Sequence, residues 1–366
     1  MSPRRTVGLG VCGLGRIGRR HAENLAERVP GARLARVHDA AAHVARAVGE
    51  ELGVPWTDDV DALLADPEVE GVVICSPTAT HAEMVARTAA AGRAVFCEKP
   101  LAPTVVEAGQ AVATARQAGV PLQMGFQMRF DPDLVELRAR AGAVAPVRLL
   151  RASLRDRQAP SLAYLRASPG FLHDAAVHLL DVARWLMGEV EEVSAFAAEP
   201  LDPDVIAADD VDTTVCVLRF AGGELGVLDD ARVSGYGFES GVELSGFGGA
   251  LRVDGGRRSD VVALDGRGRA SENAQGFLER WRVAYEHELG AFADCIRDGT
   301  APVVDGEDGV AAAVLCDAAL LSLREGRSVR IEEVAAPGEV PAQVAGPEEV
   351  AARPAQAAGP GGAGNG

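Results

Sequence analysis

Two hydrophobic periods alternate in the N-terminal part of the chain. Short apolar runs of the kind that forms buried strands are separated by segments in which apolar residues recur at helical spacing. Because this alternation is typical of a parallel sheet covered on both faces, residues 1–124 are predicted to form a doubly wound α/β domain. The predicted strands are Val7–Cys12, Leu34–Asp39, Gly71–Cys75, Ala94–Cys97 and Val120–Gln123. The clearest predicted helices are Ile17–Arg28, His81–Ala91 and Thr104–Ala118.

The pattern changes after Gly125. One helical segment, Asp174–Met187, is followed by consecutive β-like runs with tight turns between them, which favours a mostly antiparallel sheet. This second, α+β domain is placed at residues 125–334, with its C-terminal helix free to pack back on the first domain. Residues 335–366 lack periodicity and are rich in Ala, Pro and Gly, so we predict a disordered tail. The predicted strands of the second domain are Val190–Ala198, Val211–Phe220, Gly223–Ala231, Gly241–Ser245, Ala250–Val253, Asp260–Leu264 and Val329–Glu332, and its closing helices are Phe277–Arg297 and Gly306–Glu325.

Composition narrows the possible partners. The chain has 366 residues and a formal net charge of -17, and an acidic surface repels nucleic acid and anionic lipid, so neither partner is expected. No apolar run reaches the ~20 residues of a membrane span, and the N-terminus leaves no room for a secretory signal, so we expect a cytoplasmic protein. The six cysteines lie far apart without a Cys-x-x-Cys pair, which predicts reduced structural thiols. No residue cluster has metal-ligand spacing, and no metal is expected.

A glycine-rich turn follows the first predicted strand. The sequence Gly13-Leu14-Gly15-Arg16-Ile17-Gly18 has the Gly-x-Gly-x-x-Gly pattern at the start of a helix. In that setting the first glycine makes the tight turn, the second lets backbone approach a pyrophosphate, and the third permits close helix packing. Asp39 ends the next strand about 20 residues further on, where a carboxylate binds the ribose diol of NAD and repels the 2′-phosphate of NADP. We therefore expect NAD as the cofactor. NADP is the alternative, because Arg16 and Arg36 nearby could bind its 2′-phosphate.

Lys99 is the only lysine in the chain, and the remaining 35 of its 36 basic residues are arginines. A guanidinium can replace an ammonium where only charge is needed, but not where chemistry needs a compact amine. Lys99 also directly follows a predicted parallel strand, at the edge where ligands bind in open α/β folds. We interpret it as a catalytic residue, the alternative being a lysine on an ordinary loop.

A second candidate group lies on one predicted helix. Asp174 and His178 are four residues apart and share a helix face. A carboxylate beside an imidazole is typical of general acid–base chemistry near neutral pH. The alternative is a first-turn aspartate with a buried structural histidine.

Together these motifs resemble the Gfo/Idh/MocA oxidoreductase family, and within it the inositol 2-dehydrogenases. The similarity extends from Val7 to about Glu333. Its motifs are Gly13–Gly18, Ser76-Pro77-Thr78 with His81, Phe96-Cys97-Glu98-Lys99-Pro100, Gly125-Phe126 with Arg129, Asp174 with His178, Asp181–Trp185, Tyr236-Gly237-Phe238, and Tyr285 with Glu288.

The resemblance implies a Rossmann domain followed by a domain with a large open sheet, often paired into homodimers or homotetramers. It implies hydride transfer from a polyol carbon to NAD, with His178 as the base, Lys99 on the reacting oxygen and Asp174 orienting both. It also implies that Arg129, Tyr236 and Tyr285 lie near the substrate or the cofactor. The cofactor-binding residues implied are Gly13, Leu14, Gly15, Arg16, Ile17, Gly18, Asp39, Ser76, Thr78, His81, Glu98 and Lys99.

Three positions depart from the pattern of inositol dehydrogenases. Leu179 replaces an aspartate, Met128 replaces the first of two arginines, and Pro169-Gly170 replaces a glycine pair. We therefore expect a cyclitol substrate, either myo-inositol or an amino- or deoxy-cyclitol. The alternatives are a hexopyranose dehydrogenase, an NAD-recycling glycosidase of the same fold, and a non-catalytic dinucleotide-binding regulator.

Overall fold

The structure is a computed structural model, and it describes residues 5–334 apart from the side chain of residue 260. Its first sheet has six parallel strands in the order β3-β2-β1-β4-β5-β6. The strands are β1 (Val7–Cys12), β2 (Ala32–His38), β3 (Trp56–Thr57), β4 (Gly71–Ile74), β5 (Ala94–Glu98) and β6 (Leu122–Gly125). The helices of this part are α1 (Arg16–Glu27), α2 (Ala42–Leu52), α3 (Val60–Leu64), α4 (His81–Ala90) and α5 (Val105–Ala118).

The strand order reverses at β1, which pairs with β2 on one side and β4 on the other. Every residue of β1, β4 and β5 is buried, as expected for strands covered on both faces. Ligands of doubly wound folds bind at the carboxyl ends of the strands beside such a reversal. The predicted doubly wound domain is therefore confirmed, and its topology locates the cofactor site.

The second sheet has seven strands in the order β12-β11-β7-β10-β9-β8-β15. All of its pairings are antiparallel except that of β7 with β10, so the predicted mostly antiparallel sheet is confirmed. The strands are β7 (Val147–Arg155), β8 (Val190–Ala197), β9 (Thr213–Phe220), β10 (Leu225–Ala231), β11 (Glu239–Gly246), β12 (Gly249–Asp254) and β15 (Val329–Arg330); β13 (Arg257–Asp265) and β14 (Gly268–Asn273) form a separate hairpin.

Strand β7 was absent from the sequence prediction, although it occupies the middle of the second sheet. Its residues alternate between buried leucines such as Leu150 and outward arginines such as Arg151, so no continuous apolar run marks it. It ends at Arg155, paired in register with Ala231 at the end of β10. The residues that follow these two strands therefore leave the sheet side by side.

Helices α8 and α12 cover one face of the second sheet. The two halves of the molecule share a core, since α11 packs on α1 and α12 packs on α5. The helices of this part are α6 (Pro132–Arg140), α7 (Leu162–Ala167), α8 (Val177–Met187), α9 (Pro203–Ala207), α10 (Phe277–Arg280), α11 (Arg282–Asp298) and α12 (Gly306–Glu325). The predicted helix Phe277–Arg297 is interrupted at Trp281, which separates α10 from α11.

All six cysteines are buried and form no disulfide, as predicted. Within residues 5–334, none of the helices combines the length and the apolar character needed to cross a bilayer. The predicted disordered tail at 335–366 lies outside the described residues.

Candidate active site

The glycine turn between β1 and α1 has the shape of a phosphate cradle. Gly13 has φ +89°, and a Cβ there would lie 2.6 Å from the Ser76 amide nitrogen. A Cβ on Gly18 would lie 1.8 Å from the Gly13 carbonyl oxygen, so this helix–strand contact requires glycine. At Gly15 a Cβ would meet nothing within 4 Å, which leaves open space beside the helix N-terminus. The residues present fit a dinucleotide pyrophosphate.

Asp39 lies beside this turn. Its Oδ2 accepts a hydrogen bond from the Leu14 amide at 2.8 Å, and its Oδ1 accepts one from the Ala41 amide at 2.9 Å. The carboxylate is thus fixed where a ribose diol is expected. Arg36, one of the two arginines considered for binding NADP, forms an ion pair with Asp66 at 2.7 Å.

Several residues implied in cofactor binding have mainly structural contacts. His81 is buried, and its ring nitrogens bind the carbonyl oxygens of Ser76 and Pro100 at 2.8 Å each. The Ser76 hydroxyl bonds that of Thr80 at 2.7 Å, and Ile17 packs on the core. These contacts hold the end of β4 next to the turn that carries Lys99.

Other implied cofactor residues lie around the opening of the turn. Thr78 is half-buried at the start of a short 3₁₀ turn. Arg16 is exposed, and its guanidinium lies 4.8 Å from the ring centre of Phe277 and 5.9 Å from that of Tyr164. Arg16 therefore reaches from the glycine turn to two aromatic side chains of the second half of the chain.

Lys99 follows the last residue of β5 and precedes a cis peptide bond to Pro100. Its ammonium group donates to the Asp174 carbonyl oxygen and lies 3.3 Å from Asp174 Oδ1. The side chain is 17% exposed, so the amine is accessible to a small molecule. The two predicted catalytic residues from different halves of the chain therefore meet.

Asp174 lies in a π-helical turn, Leu172–Ala176, which precedes α8. Its Oδ1 also accepts from the Tyr164 hydroxyl at 2.9 Å, and its Oδ2 accepts from Arg232 at 3.2 Å. Burial alone would raise the pKa of this carboxyl, but the charges of Lys99 and Arg232 outweigh it and lower the pKa to about 2. Asp174 is therefore an anion at any working pH.

His178 is located in the first turn of α8, where it is 7% exposed. Burial, reinforced by the charge of Lys99 and opposed by that of Asp174, lowers its pKa well below the ordinary value of 6.5. Its Nδ1 has no hydrogen-bond partner. The expected carboxylate–imidazole contact is absent, because Asp174 directs both oxygens to Lys99, Tyr164 and Arg232. The imidazole is thus neutral and able to accept a proton.

Arg232 was missed in the sequence, where it is one of many arginines. It follows β10, is 3% exposed, and holds both Asp174 and Asp210, the latter at 2.9 Å. Tyr164 was missed for the same reason, since only the folded chain brings α7 to Asp174.

Asp156 was also missed. Its amide donates to the Ala231 carbonyl oxygen at 2.9 Å, which places it next to Arg232. Burial raises the pKa of this carboxyl to about 6, against the opposing charge of Arg16. Its side chain makes no hydrogen bond to the part of the protein that the structure describes, so its oxygens are available to a ligand.

Arg129 does not join this group. Its guanidinium is buried in an ion pair with Asp181, at 2.8 and 2.5 Å, and with Asp308 at 3.0 Å. Two N–H groups of the Arg129 guanidinium bind the two oxygens of the Asp181 carboxylate. These N–H groups are therefore already occupied by Asp181, although the resemblance placed them near the substrate or the cofactor. Asp181, three residues after His178 on α8, is the partner in this pair.

Tyr236 and Tyr285 lie in different surroundings. Tyr236 is 53% exposed, and its hydroxyl accepts from Arg155 at 3.0 Å and donates to Glu239. Tyr285 is buried with its ring 5.6 Å from that of His21. Neither tyrosine contacts Lys99 or Asp174.

Two of the three departures noted in the sequence lie in the core. Leu179 is 0% exposed and Met128 is 1% exposed. Because both side chains are buried, these two replacements do not change the polarity of the surface that lines the site. Gly170 is closer to it, with φ +90° beside Asp210.

Comparison with known proteins identifies the chain. Residues 7–126 match the model described as the oxidoreductase family, NAD-binding Rossmann fold, and residues 163–331 match that family's C-terminal alpha/beta domain. The chain belongs to the Gfo/Idh/MocA oxidoreductase family. The family predicted from the motifs, the enzyme class and NAD as the cofactor are thus confirmed.

Individual members of the family are similar over nearly the whole described chain. Myo-inositol 2-dehydrogenase of Thermotoga maritima is 41% identical over 331 residues, which is 89% of this chain and 99% of the relative. The scyllo-inositol 2-dehydrogenase (NAD(+)) of Bacillus subtilis is 33% identical over 330 residues, 89% of this chain and 96% of that one. A crystal structure of a probable dehydrogenase from Thermotoga maritima has a TM-score of 0.86 at 40% identity, covering 90% of this chain and 100% of that chain.

Proposed function

We propose that this family member oxidises a secondary hydroxyl of a cyclitol to the ketone, with NAD as hydride acceptor. The observation that carries the proposal is the contact of Lys99 with Asp174 next to a neutral His178. Relatives named for myo-inositol and scyllo-inositol support the substrate class. Because Leu179 and Met128 lie in the core, myo-inositol is the first candidate and an amino- or deoxy-cyclitol the second.

The cofactor would be held by the glycine turn and by Asp39. Gly15 leaves room for the pyrophosphate, the N-terminus of α1 provides amides, and Asp39 is placed for the ribose diol. A carboxylate there disfavours a 2′-phosphate, which supports a preference for NAD over NADP. When bound, NAD supplies the acceptor for the hydride that leaves the carbinol carbon.

The chain's own residues handle the proton and the developing charge. His178, being neutral, takes the hydroxyl proton as general base. Lys99 donates to the same oxygen and stabilises the negative charge that grows on it as the C–H bond breaks. Asp174 stays ionised and fixes the ammonium of Lys99, while its charge favours the imidazolium that forms. The carboxyl oxygens of Asp156 are free to accept hydrogen bonds from other hydroxyl groups of the cyclitol ring.

A homodimer or homotetramer remains a proposal from the family resemblance. One face of the second sheet carries exposed apolar residues, including Phe196 on β8 and Val215 on β9, which supports pairing of this face with a second copy. The cytoplasmic location also stays a prediction.

A substrate screen tests the proposed function. The protein is incubated with NAD and with myo-inositol, an inosamine of the scyllo series, or glucose, and NADH absorbance is followed. Steady NADH production with a cyclitol is expected. Turnover of glucose alone would identify a hexopyranose dehydrogenase. Glycoside hydrolysis without net NADH would identify an NAD-recycling glycosidase, and NAD binding without any turnover would indicate a regulator.

A further inference from the structure

Three ionisable side chains form a buried cluster next to the site. His21 of α1, Glu98 at the end of β5 and Glu288 of α11 have ligating atoms that all lie within 4.8 Å of one another. His21 Nε2 is 2.7 Å from Glu98 Oε1 and 3.9 Å from Glu288 Oε1. His21 and Glu288 are 0% exposed and Glu98 is 7% exposed. We call these three residues the buried triad; the sequence showed no such spacing.

The buried triad places two carboxyl groups close together in the protein interior. Among residues 5–334, neither carboxyl oxygen of Glu288 has a hydrogen-bond partner, and two anions this close in a low-dielectric interior cannot both be stable. Burial, followed by the charge of Glu98, raises the pKa of Glu288 well above its usual value.

Within residues 5–334, the cations near the buried triad are bound elsewhere or lie further out. The ionisable neighbours are Tyr285 on α11, whose ring edge meets His21, and the thiols of Cys75 after β4 and Cys97 on β5. Burial raises the pKa of each of these groups, so they are neutral. The charge of Glu98 also acts on His81, but burial lowers the pKa of that imidazole. The Lys99 ammonium is bound to Asp174, and Arg16 lies further out, where its charge acts on Tyr285. A proton on Glu288 therefore gives the least costly charge state.

We propose that Glu288 is a permanently protonated acid, and that Glu98, bound to His21, is the positioning residue for the Lys99 turn. Glu98 Oε2 also accepts from the Lys99 amide at 3.2 Å. Since α1 begins at the glycine turn and Lys99 directly follows Glu98, the His21–Glu98 contact fixes the catalytic amine relative to the cofactor cradle. The link to catalysis rests on the function proposed for Lys99; the protonation of Glu288 does not.

Infrared difference spectroscopy tests the proton directly. The spectrum of the native protein near pH 8 should contain a carboxylic-acid C=O band that is missing in Glu288→Gln. Asp230→Asn is the matched control, because Asp230 is another buried carboxyl without a partner, and burial raises its pKa as well. This control should lose a different band and keep that of Glu288. No band lost in Glu288→Gln, or stoichiometric metal in the native protein that Glu288→Gln lacks, would overturn the proposal.

Cofactor affinity and kinetics test the positioning. Glutamine is isosteric with a neutral glutamic acid, so Glu288→Gln should keep the NADH dissociation constant and kcat within about two-fold of wild type. Glu98→Gln should weaken NADH binding and lower kcat by about ten-fold or more, as expected for a lost charge-assisted hydrogen bond. If Glu98→Gln does not fold, His21→Gln removes the same contact from the helix side.

The outcomes separate positioning from simple packing. A folded Glu98→Gln with a lower melting temperature but unchanged NADH affinity and kcat would contradict the positioning role. If Glu288→Gln lost as much NADH affinity and kcat as Glu98→Gln, Glu288 would be ionised in the native protein and the proposal would be wrong. The infrared and NADH-binding results need no polyol, so they decide the proposal even if no cyclitol is a substrate.

Discussion

The Lys99 ammonium nitrogen lies 3.3 Å from Oδ1 of Asp174, a residue 75 positions further along the chain. Lys99 directly follows strand β5 of the first sheet, and Asp174 lies in the π turn that precedes α8 of the second half of the chain. The candidate active site therefore exists only where the two halves pack together, beside the glycine turn. Arg232 anchors the same carboxylate from the end of β10.

Lys99→Arg tests the need for a compact amine. A guanidinium keeps the charge but cannot direct one small donor group at the reacting oxygen, so kcat/KM should fall by about 10²–10³-fold, comparable to the loss of an oxyanion donor. The fall should appear in kcat, while the NADH dissociation constant stays near that of wild type. Arg33→Lys, at an exposed ion pair with Glu68, is the control and should change nothing. Near-normal turnover of Lys99→Arg would refute a catalytic role for the lysine.

The pH profile tests His178 as the base. The imidazole accepts a proton only when neutral, and burial together with the charge of Lys99 lowers its pKa below 6.5. Accordingly, kcat/KM should stay constant as the pH falls from 8 to about 6.5. It should decrease only below that pH, where His178 becomes protonated and the acid limb of the profile begins. His178→Gln should abolish turnover at every pH, whereas His43→Gln, at an exposed position, should match wild type. An acid limb centred at or above pH 7 would be inconsistent with this assignment.

Arg232→Gln tests how Asp174 is held. Removal of this guanidinium leaves Asp210 without its cationic partner and Asp174 with Lys99 and the Tyr164 hydroxyl, so the free energy of unfolding should drop by about 3–5 kcal/mol. The pKa of Asp174 should rise from about 2 to above its ordinary value, because burial, the largest influence, is then opposed by the charge of Lys99 without that of Arg232. Since this carboxylate must be ionised to hold Lys99, the variant should lose activity relative to wild type more strongly at pH 5 than at pH 8.

Tyr164→Phe is the matched comparison, because it removes one neutral donor from Asp174 and leaves the charges in place. It should cost only about 1 kcal/mol of stability and show no added loss at low pH. Parallel pH profiles for Arg232→Gln and wild type would show that the guanidinium does not set the charge state of Asp174.

The local sequence predicted an element correctly where the residues of that element alone determine its limits. Strand β1 and helix α12 have the predicted bounds, because an apolar run before a glycine turn and a helix capped by Asp305 and Gly326 each define their own limits. Strand β7 escaped prediction because its leucines alternate with arginines, and its place in the sheet depends on pairing with β10 and β11.

The same distinction applies to the site. Lys99 could be found because its residue type is unique in the chain, and Asp174 and His178 because they share a short motif. Arg232 and Tyr164 could not, because arginine is common here and only the fold brings them to Asp174. The partner of Arg129 could not be predicted either, because only the fold brings its guanidinium to Asp181 in a buried ion pair.

Asp39→Ala tests cofactor choice. Loss of the carboxylate removes the expected ribose contact and the repulsion of a 2′-phosphate, so KM for NAD should rise and the NADP/NAD ratio of kcat/KM should increase by about ten-fold or more. Steady-state kinetics with both cofactors measures this. Asp58→Ala, directly after β3 and exposed, is the control. An unchanged ratio would show that Asp39 does not contact the ribose.

The most direct measurement follows one hydrogen. The protein is incubated with NAD and with myo-inositol deuterated on its ring carbons, and the NADH formed is analysed by mass spectrometry. The account predicts NADH that carries one deuterium in its nicotinamide ring, formed together with the ketone and lost in Lys99→Arg and His178→Gln. NADH without deuterium, or a ketone formed at wild-type rate by both variants, would contradict hydride transfer at the site built by Lys99, Asp174 and His178.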